Sequence, residues 1–212
     1  MAVKKQKNYP RKKIKRENKT IPQNLGLNIQ KKIKPEIRYL DDIREVLYDK
    51  KWAKKAQNVE LYYMYRGIKK KGNLSYDITV IPPRMLGKEF VKTYGHYHLK
   101  KTQEIYIVLK GKGIFLMQKG KDIIEDVVAI EAKKGEKVLI PPLFGHVTIN
   151  HGKKNLITAN WVDQEAGHDY KSILKKQGAC YYYTKDGWIK NKNYKKVPKI
   201  RFEKPNKNLD DF

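Results

Sequence analysis

The chain has 212 residues, is 40% hydrophobic and carries a formal charge of +26, enough for one compact domain of about 150 residues with appendages. Its single cysteine, Cys180, excludes an internal disulfide and agrees with a reducing, cytoplasmic setting. No apolar run is long enough to span a bilayer, and MAVKKQKNYPRKKIKRENK has no apolar stretch behind its basic residues, so a protein free of the membrane is expected.

Residues 1–34 carry twelve Lys or Arg against one acid, Glu17, leaving +15 on the rest of the chain. With Pro10 and Pro22 and no periodic apolar face, this stretch reads as a basic, disordered arm. Such an arm can meet nucleic acid by counterion release. The basic residues are overwhelmingly Lys, as an AT-rich genome or a thermophile's surface produces, so nucleic-acid contact is the less favoured reading. From Pro35 to Gln57, Leu40, Ile43, Val46, Leu47 and Trp52 fall at three- and four-residue spacings. They predict a short helical brace with Asp41 or Asp42 as its N-cap.

Two strands follow, VELYYMYRGIKK and LSYDITVIPP, joined at a Gly72-Asn73 turn. After Pro82-Pro83 the chain turns through MLGKEFVKTYG into a histidine-bearing segment. KGKD reads as a hairpin turn, IIEDVVAIEA and NLITANWV as strands, and DQEAGHDY as the end of a strand where His168, Asp169 and Tyr170 would lie at a barrel mouth. The aromatics of ACYYYTKDGW read as exposed and available to a subunit contact. Short strands alternating with Gly/Pro turns predict a single all-β barrel or jelly roll over residues 35–190, with residues 191–212 as a C-terminal tail.

The chemistry concentrates between residues 92 and 150. His96 and His98 are two apart in a run that reads as strand, so both imidazoles leave the same face. Glu104 opens EIYIVLK, where Glu104, Tyr106 and Val108 alternate with Ile105, Ile107 and Leu109. His146 completes the set in IPPLFGHVTIN. Three imidazoles and a carboxylate suit one divalent ion, iron first and manganese or zinc as alternatives, with one or two positions left open for substrate.

Gly111 falls seven residues after Glu104, and a second block runs from Gly135 through Pro141 and His146 to Asn150. This resembles the paired HxH…E…G and G…P…H…N signature of the cupin superfamily, which implies a jelly-roll barrel. Over residues 58–180, GNLSYDITVIPP, LGKEF, TYGHYHLKK, EIYIVLKGKG, VLIPPLFGH, VTIN and AGHDY are together similar to the cupin-type, archaeal glucose-6-phosphate isomerases. The resemblance implies metal ligation by His96, His98, Glu104 and His146. It implies the phosphate of the substrate near Thr79, Thr93, Gly95 and Tyr170, and Tyr62, Tyr106 and His168 around the sugar. The candidate catalytic groups are then Glu104, His168 and Tyr62. The implied reaction interconverts glucose 6-phosphate and fructose 6-phosphate through an enediolate or a hydride shift, in a homodimer. Two positions depart from the family pattern, Leu143 for a bulky aromatic and Val162 for a tyrosine. Two alternatives stay open, another metal-dependent cupin enzyme such as an oxygenase or a different sugar-phosphate isomerase, and a cupin binding module recruited to nucleic acid by its arm.

Overall fold

The computed structural model describes residues 33–206; residues 1–32, and with them nearly all of the basic arm, lie outside the described residues, as do 207–212. The chain enters as a strand, β1 (Glu36–Tyr39), followed by two short helices, α1 (Leu40–Ile43) and α2 (Lys50–Lys55), with a 3-10 turn at Arg44–Val46 between them. The expected brace from Pro35 is thus part strand. A helical pattern this short cannot sustain itself, and the residues of β1 instead pair with the long strand that comes next. The cap also differs from expectation. Tyr39 is the N-cap of α1, its backbone N–H donating to the Asp42 carboxylate at 2.8 Å, and Asp49 caps α2 by accepting from the Trp52 N–H at 3.0 Å.

The strand hairpin appears where the spacing predicts, β2 (Glu60–Lys71) and β3 (Leu74–Ile81) closing at Gly72-Asn73. MLGKEF, which reads as a plain turn, holds two short strands, β4 (Met85–Leu86) and β5 (Glu89–Phe90). Then come β6 (Tyr97–His98), β7 (Glu104–Lys110), β8 (Lys112–Lys119), β9 (Asp126–Lys133), β10 (Lys137–Ile140), β11 (Phe144–Ile149), β12 (Leu156–Asp163) and β13 (His168–Asp169). α3 (Lys171–Lys175), the hairpin β14 (Tyr181–Thr184) and β15 (Gly187–Lys190), and β16 (Arg201–Glu203) end the described chain.

A six-stranded sheet, β1-β2-β3-β12-β7-β10, lies over a four-stranded one, β11-β8-β9-β16. The inner faces meet in one core where Ile81, Val108, Val138, Ile140 and Leu156 of the first pack on Phe115, Met117, Val128 and Ile130 of the second. This is the expected all-β jelly roll. The period-two patterns place the opposite residues on outer faces: Ile78, Val80, Ile157 and Ala159 on one sheet, Leu116, Val127, Ala129 and Val147 on the other.

Two readings of the C-terminal third are corrected. Tyr181 and Tyr182 are buried rather than exposed, because the β14–β15 hairpin and the segment after it close over the outer face of the four-stranded sheet. The segment set apart as a tail is, as far as residue 206, docked on that sheet: Tyr194 and Val197 are buried, and β16 pairs in parallel with β9.

A buried ion pair ties these parts together. Lys92 Nζ lies 3.0 Å from Glu89 Oε2, donates to the Val46 carbonyl at 2.9 Å and stands 4.8 Å from the Tyr182 ring centroid. Burial pushes the Glu89 carboxyl up and the Lys92 ammonium down, each opposed by its partner. Replacing Lys92 by Met leaves a buried carboxylate uncompensated, which destabilises the fold by about 3–5 kcal/mol, whereas Glu89→Leu/Lys92→Met is close to neutral. Urea unfolding of both variants checks this, and equal losses in the two would contradict it.

Candidate metal centre

The two histidine segments meet as neighbouring strands. His96 and His146 form an antiparallel bridge, His146 N donating to His96 O at 3.0 Å and His96 N to His146 O at 3.3 Å. Two glycines allow this approach. Gly95 has φ +84°, and a Cβ there would lie 2.5 Å from Val147 Cγ2; a Cβ on Gly145 would meet the Tyr97 ring at 2.6 Å. On the other side β6 pairs with β13, so that His98 faces His168. Glu104, the first residue of β7, is brought in from the six-stranded sheet, partnered by Ile140.

The ligand atoms of His96, His98, Glu104 and His146 all lie within 4.8 Å of one another. Glu104 Oε2 is 3.1 Å from His98 Nε2 and 3.3 Å from His146 Nε2. Metal bonds of about 2.1 Å set adjacent ligands roughly 3.0–3.4 Å apart, the spacing of these two contacts. Asn160 Nδ2 donates to Glu104 Oε1 at 2.7 Å, fixing the carboxylate from behind. The Tyr106 hydroxyl lies 3.3 Å from His146 Nε2. The buried Nε2 of His96 has no hydrogen-bond partner among the described residues, which a divalent cation would supply.

The electrostatics prepare the same state. Burial, reinforced by His146, His168 and His98, holds His96 well below its usual pKa, and burial brings His146 down to about 4. Burial alone would raise Glu104, but the His98 hydrogen bond and the charges of His146 and His98 outweigh it and hold the carboxyl low. At neutral pH His96 and His146 are therefore neutral and Glu104 is ionised, the forms that ligate.

A wall of rings runs from this cluster. His168 lies 4.4 Å from His96, centroid to centroid, and stacks on Tyr170 at 5.7 Å. Tyr170 meets Tyr94 edge-on at 5.2 Å, and Tyr94 N donates to the Tyr62 hydroxyl at 3.1 Å. Thr93 is held on β11, its N–H donating to Thr148 O and its Oγ1 accepting from Thr148 N. Thr79 lies two residues beyond Asp77 on the inward face of β3, across from Met64 and Thr158. Tyr106, His168 and Tyr170 thus touch the ligand rings, Tyr62 and Thr93 sit beside the Tyr94–Gly95 segment, and Thr79 stands one row away. Leu143 is 55% exposed with φ +70°, so its side chain stands in solvent; Val162 is buried.

Four inward-facing polar residues escape sequence reading. Arg66 is paired with Asp77 at 3.1 Å and with Glu36 at 3.4 Å, Asp77 lies opposite Asn160 on β12, and Arg38 lies beside Tyr62. Each breaks an apolar alternation on an inner face, and arginine is scarce in this lysine-rich chain; those are the signals that could have found them.

Protonation of the cluster opposes folding. The folded chain keeps His146 unprotonated from the ordinary value of 6.5 down to about 4, while the unfolded chain takes up its proton at 6.5. Stability is therefore lost as pH falls through that window, and the lowered Glu104 extends the loss further down. The metal-free protein's Tm should fall more steeply between pH 6.5 and 4 than that of a His146→Gln variant; equal slopes would contradict this.

Residues 34–199 match the glucose-6-phosphate isomerase (GPI) family. A glucose-6-phosphate isomerase of Thermococcus litoralis is 36% identical over 149 residues, covering 68% of this chain and 77% of that one. One of Pyrococcus abyssi is 32% identical over 160 residues, covering 73% and 83%. Among solved structures an oxalate oxidase is 17% identical, covers 51% of this chain and 54% of that one, and has a TM-score of 0.42, a likeness too slight to bear on function. With more than three quarters of its length matched, the chain belongs to the glucose-6-phosphate isomerase family.

Proposed function

We propose that the protein interconverts glucose 6-phosphate and fructose 6-phosphate at the His96–His98–Glu104–His146 cluster. The observation that carries this reading is the convergence of three imidazoles and one ionised carboxylate within 4.8 Å, in a chain of the glucose-6-phosphate isomerase family. When bound, a divalent ion supplies Lewis-acid stabilisation of the charge that develops on the sugar oxygens between C1 and C2.

The chain's own residues do the rest. Glu104, anchored through Oε1 by Asn160, is the group that carries the proton between C1 and C2. Its lowered pKa keeps it ionised and weakens it as a base; a hydride shift, with Glu104 moving only hydroxyl protons, is the alternative route. Tyr106, whose hydroxyl is held well above its usual pKa first by burial and then by Glu104, stays protonated toward the carboxylate and leaves its oxygen to accept from a sugar hydroxyl. His168 is held neutral, chiefly by desolvation and the nearby Arg66, and lies at the cluster end of the ring wall, 4.4 Å from His96, where it can accept or return a hydroxyl proton. Tyr62 positions the Tyr94 backbone and, through it, Gly95. Thr93 has its oxygen engaged by Thr148 N, which leaves its hydroxyl proton free for a phosphate oxygen. Thr79, Gly95 and Tyr170 complete that end.

The donor set favours iron, with manganese and zinc able to replace it. The protein acts as a cytoplasmic homodimer. Among the described residues no helix is long and apolar enough to cross a membrane.

The test is a coupled assay of fructose 6-phosphate conversion on protein stripped with chelator and then given iron, manganese or zinc. Turnover should vanish on stripping, return with metal, and fall by at least about a hundredfold in Glu104→Gln at matched metal content. Undiminished turnover in stripped protein, or none in metal-loaded protein, would overturn the reading.

A further inference from the structure

Two arginines reach the inner face near the site, and their surroundings differ. Arg66 is neutralised by two carboxylates, Asp77 and Glu36. Arg38 has none within ion-pair distance among the described residues. It stands beside Tyr62 in the β1–β2 register, its guanidinium carbon 6.0 Å from the centroid of the Tyr170 ring. Its Nε is buried and has no hydrogen-bond partner.

A guanidinium withdrawn from water without a counter-charge is unfavourable, and a half-fixed fork of N–H donors is the geometry that matches a phosphate. Asp42 acts on it only from beyond ion-pair distance, and the side chains against it are tyrosines: Tyr62, which shares a hydrogen bond with it, and Tyr170, with Tyr94 edge-on to Tyr170. Tyr62 is hydrogen-bonded to the Tyr94 backbone, one residue from both Thr93 and Gly95. In the other direction Tyr170 lies 5.5 Å from His96 of the metal cluster. A small molecule with its anionic end on Arg38 would therefore lay its other end against the four ligands, with ring faces and hydroxyls along its length.

We infer that Arg38 is the counter-charge for the substrate's phosphate and makes the site select phosphorylated over free sugars. This rests on the isomerase reading for the identity of the substrate, but not for the presence of an anion subsite. Arg66, already neutralised, holds β2 to β3 and does not take the phosphate.

The test is calorimetric binding of sorbitol 6-phosphate and of sorbitol to the metal-loaded protein and its Arg38→Gln and Arg38→Lys variants. Arg38→Gln should weaken sorbitol 6-phosphate by about 10- to 100-fold, the loss of charge-assisted hydrogen bonds, with Arg38→Lys in between and sorbitol binding unchanged. KM for fructose 6-phosphate should rise by the same factor, with kcat within a few-fold. Arg38→Gln binding sorbitol 6-phosphate within twofold of the wild type would overturn the assignment. If Arg38→Gln does not fold, wild-type protein labelled with 15N-arginine decides. The Arg38 Nε–H resonance, identified by its absence from Arg38→Lys, should move on adding sorbitol 6-phosphate and not on adding sorbitol; an unmoved resonance overturns the assignment. If wild type binds sorbitol 6-phosphate through Arg38 yet turns over no hexose phosphate, the isomerase reading falls and the anion subsite stands. Turnover with an unchanged KM for fructose 6-phosphate in Arg38→Gln gives the reverse.

Discussion

Glu104 is a carboxylate buried at the junction of two sheets and faced by imidazoles that burial keeps neutral. A buried carboxylate without a cation is unfavourable, and the unpartnered Nε2 of His96 adds a second unmet demand. One divalent ion answers both. The jelly roll can be understood as the frame that makes this arrangement unavoidable: Glu104 rides on the six-stranded sheet, His146 on the four-stranded one, and His96 bridges to His146 across a contact that Gly95 and Gly145 keep tight. The core packing that joins the sheets therefore also sets the ligand spacing.

Around that centre the polar groups form successive layers. Asn160 fixes the carboxylate, Asp77 lies opposite Asn160, and Arg66 neutralises Asp77. This row carries charge from the metal cluster to the edge of the six-stranded sheet with every member paired, which makes it a support. The second row, from His168 through Tyr170 to Arg38, ends in a cation with no carboxylate within ion-pair distance among the described residues. The contrast between a satisfied row and an unsatisfied one separates scaffold from binding surface more clearly than proximity to the metal cluster does.

The cluster of His96, His98, Glu104 and His146 was legible in the sequence because chemistry and spacing coincide: a two-residue step puts His96 and His98 on one face, and the alternation of EIYIVLK puts Glu104 at the start of an inward row. The β2–β3 hairpin was legible from its turn. What could not be read depends on partners far away in the chain. Asp77, Arg66 and Arg38 look like ordinary polar residues until register places them opposite Asn160 and Tyr62. Glu89 and Lys92 look like surface charges and are buried because α1, the turn after it and the β14 hairpin close over them. Tyr181 and Tyr182 read as exposed because the segment that packs near them, through Tyr194 and Val197, carries little apolar periodicity. Leu143, which replaces an expected aromatic, turns out to face solvent, so the departure there spares the interior.

The most direct measurement is the metal content of the purified chain after equilibration with iron, manganese or zinc and removal of loosely held ions, set beside the same measurement on His146→Ala. One tightly bound ion per wild-type chain is expected, with a folded variant that loses it under the same wash. A wild-type chain that retains none of the three, or a variant that keeps its ion as firmly as the wild type, would contradict the assignment of His96, His98, Glu104 and His146 as a metal centre.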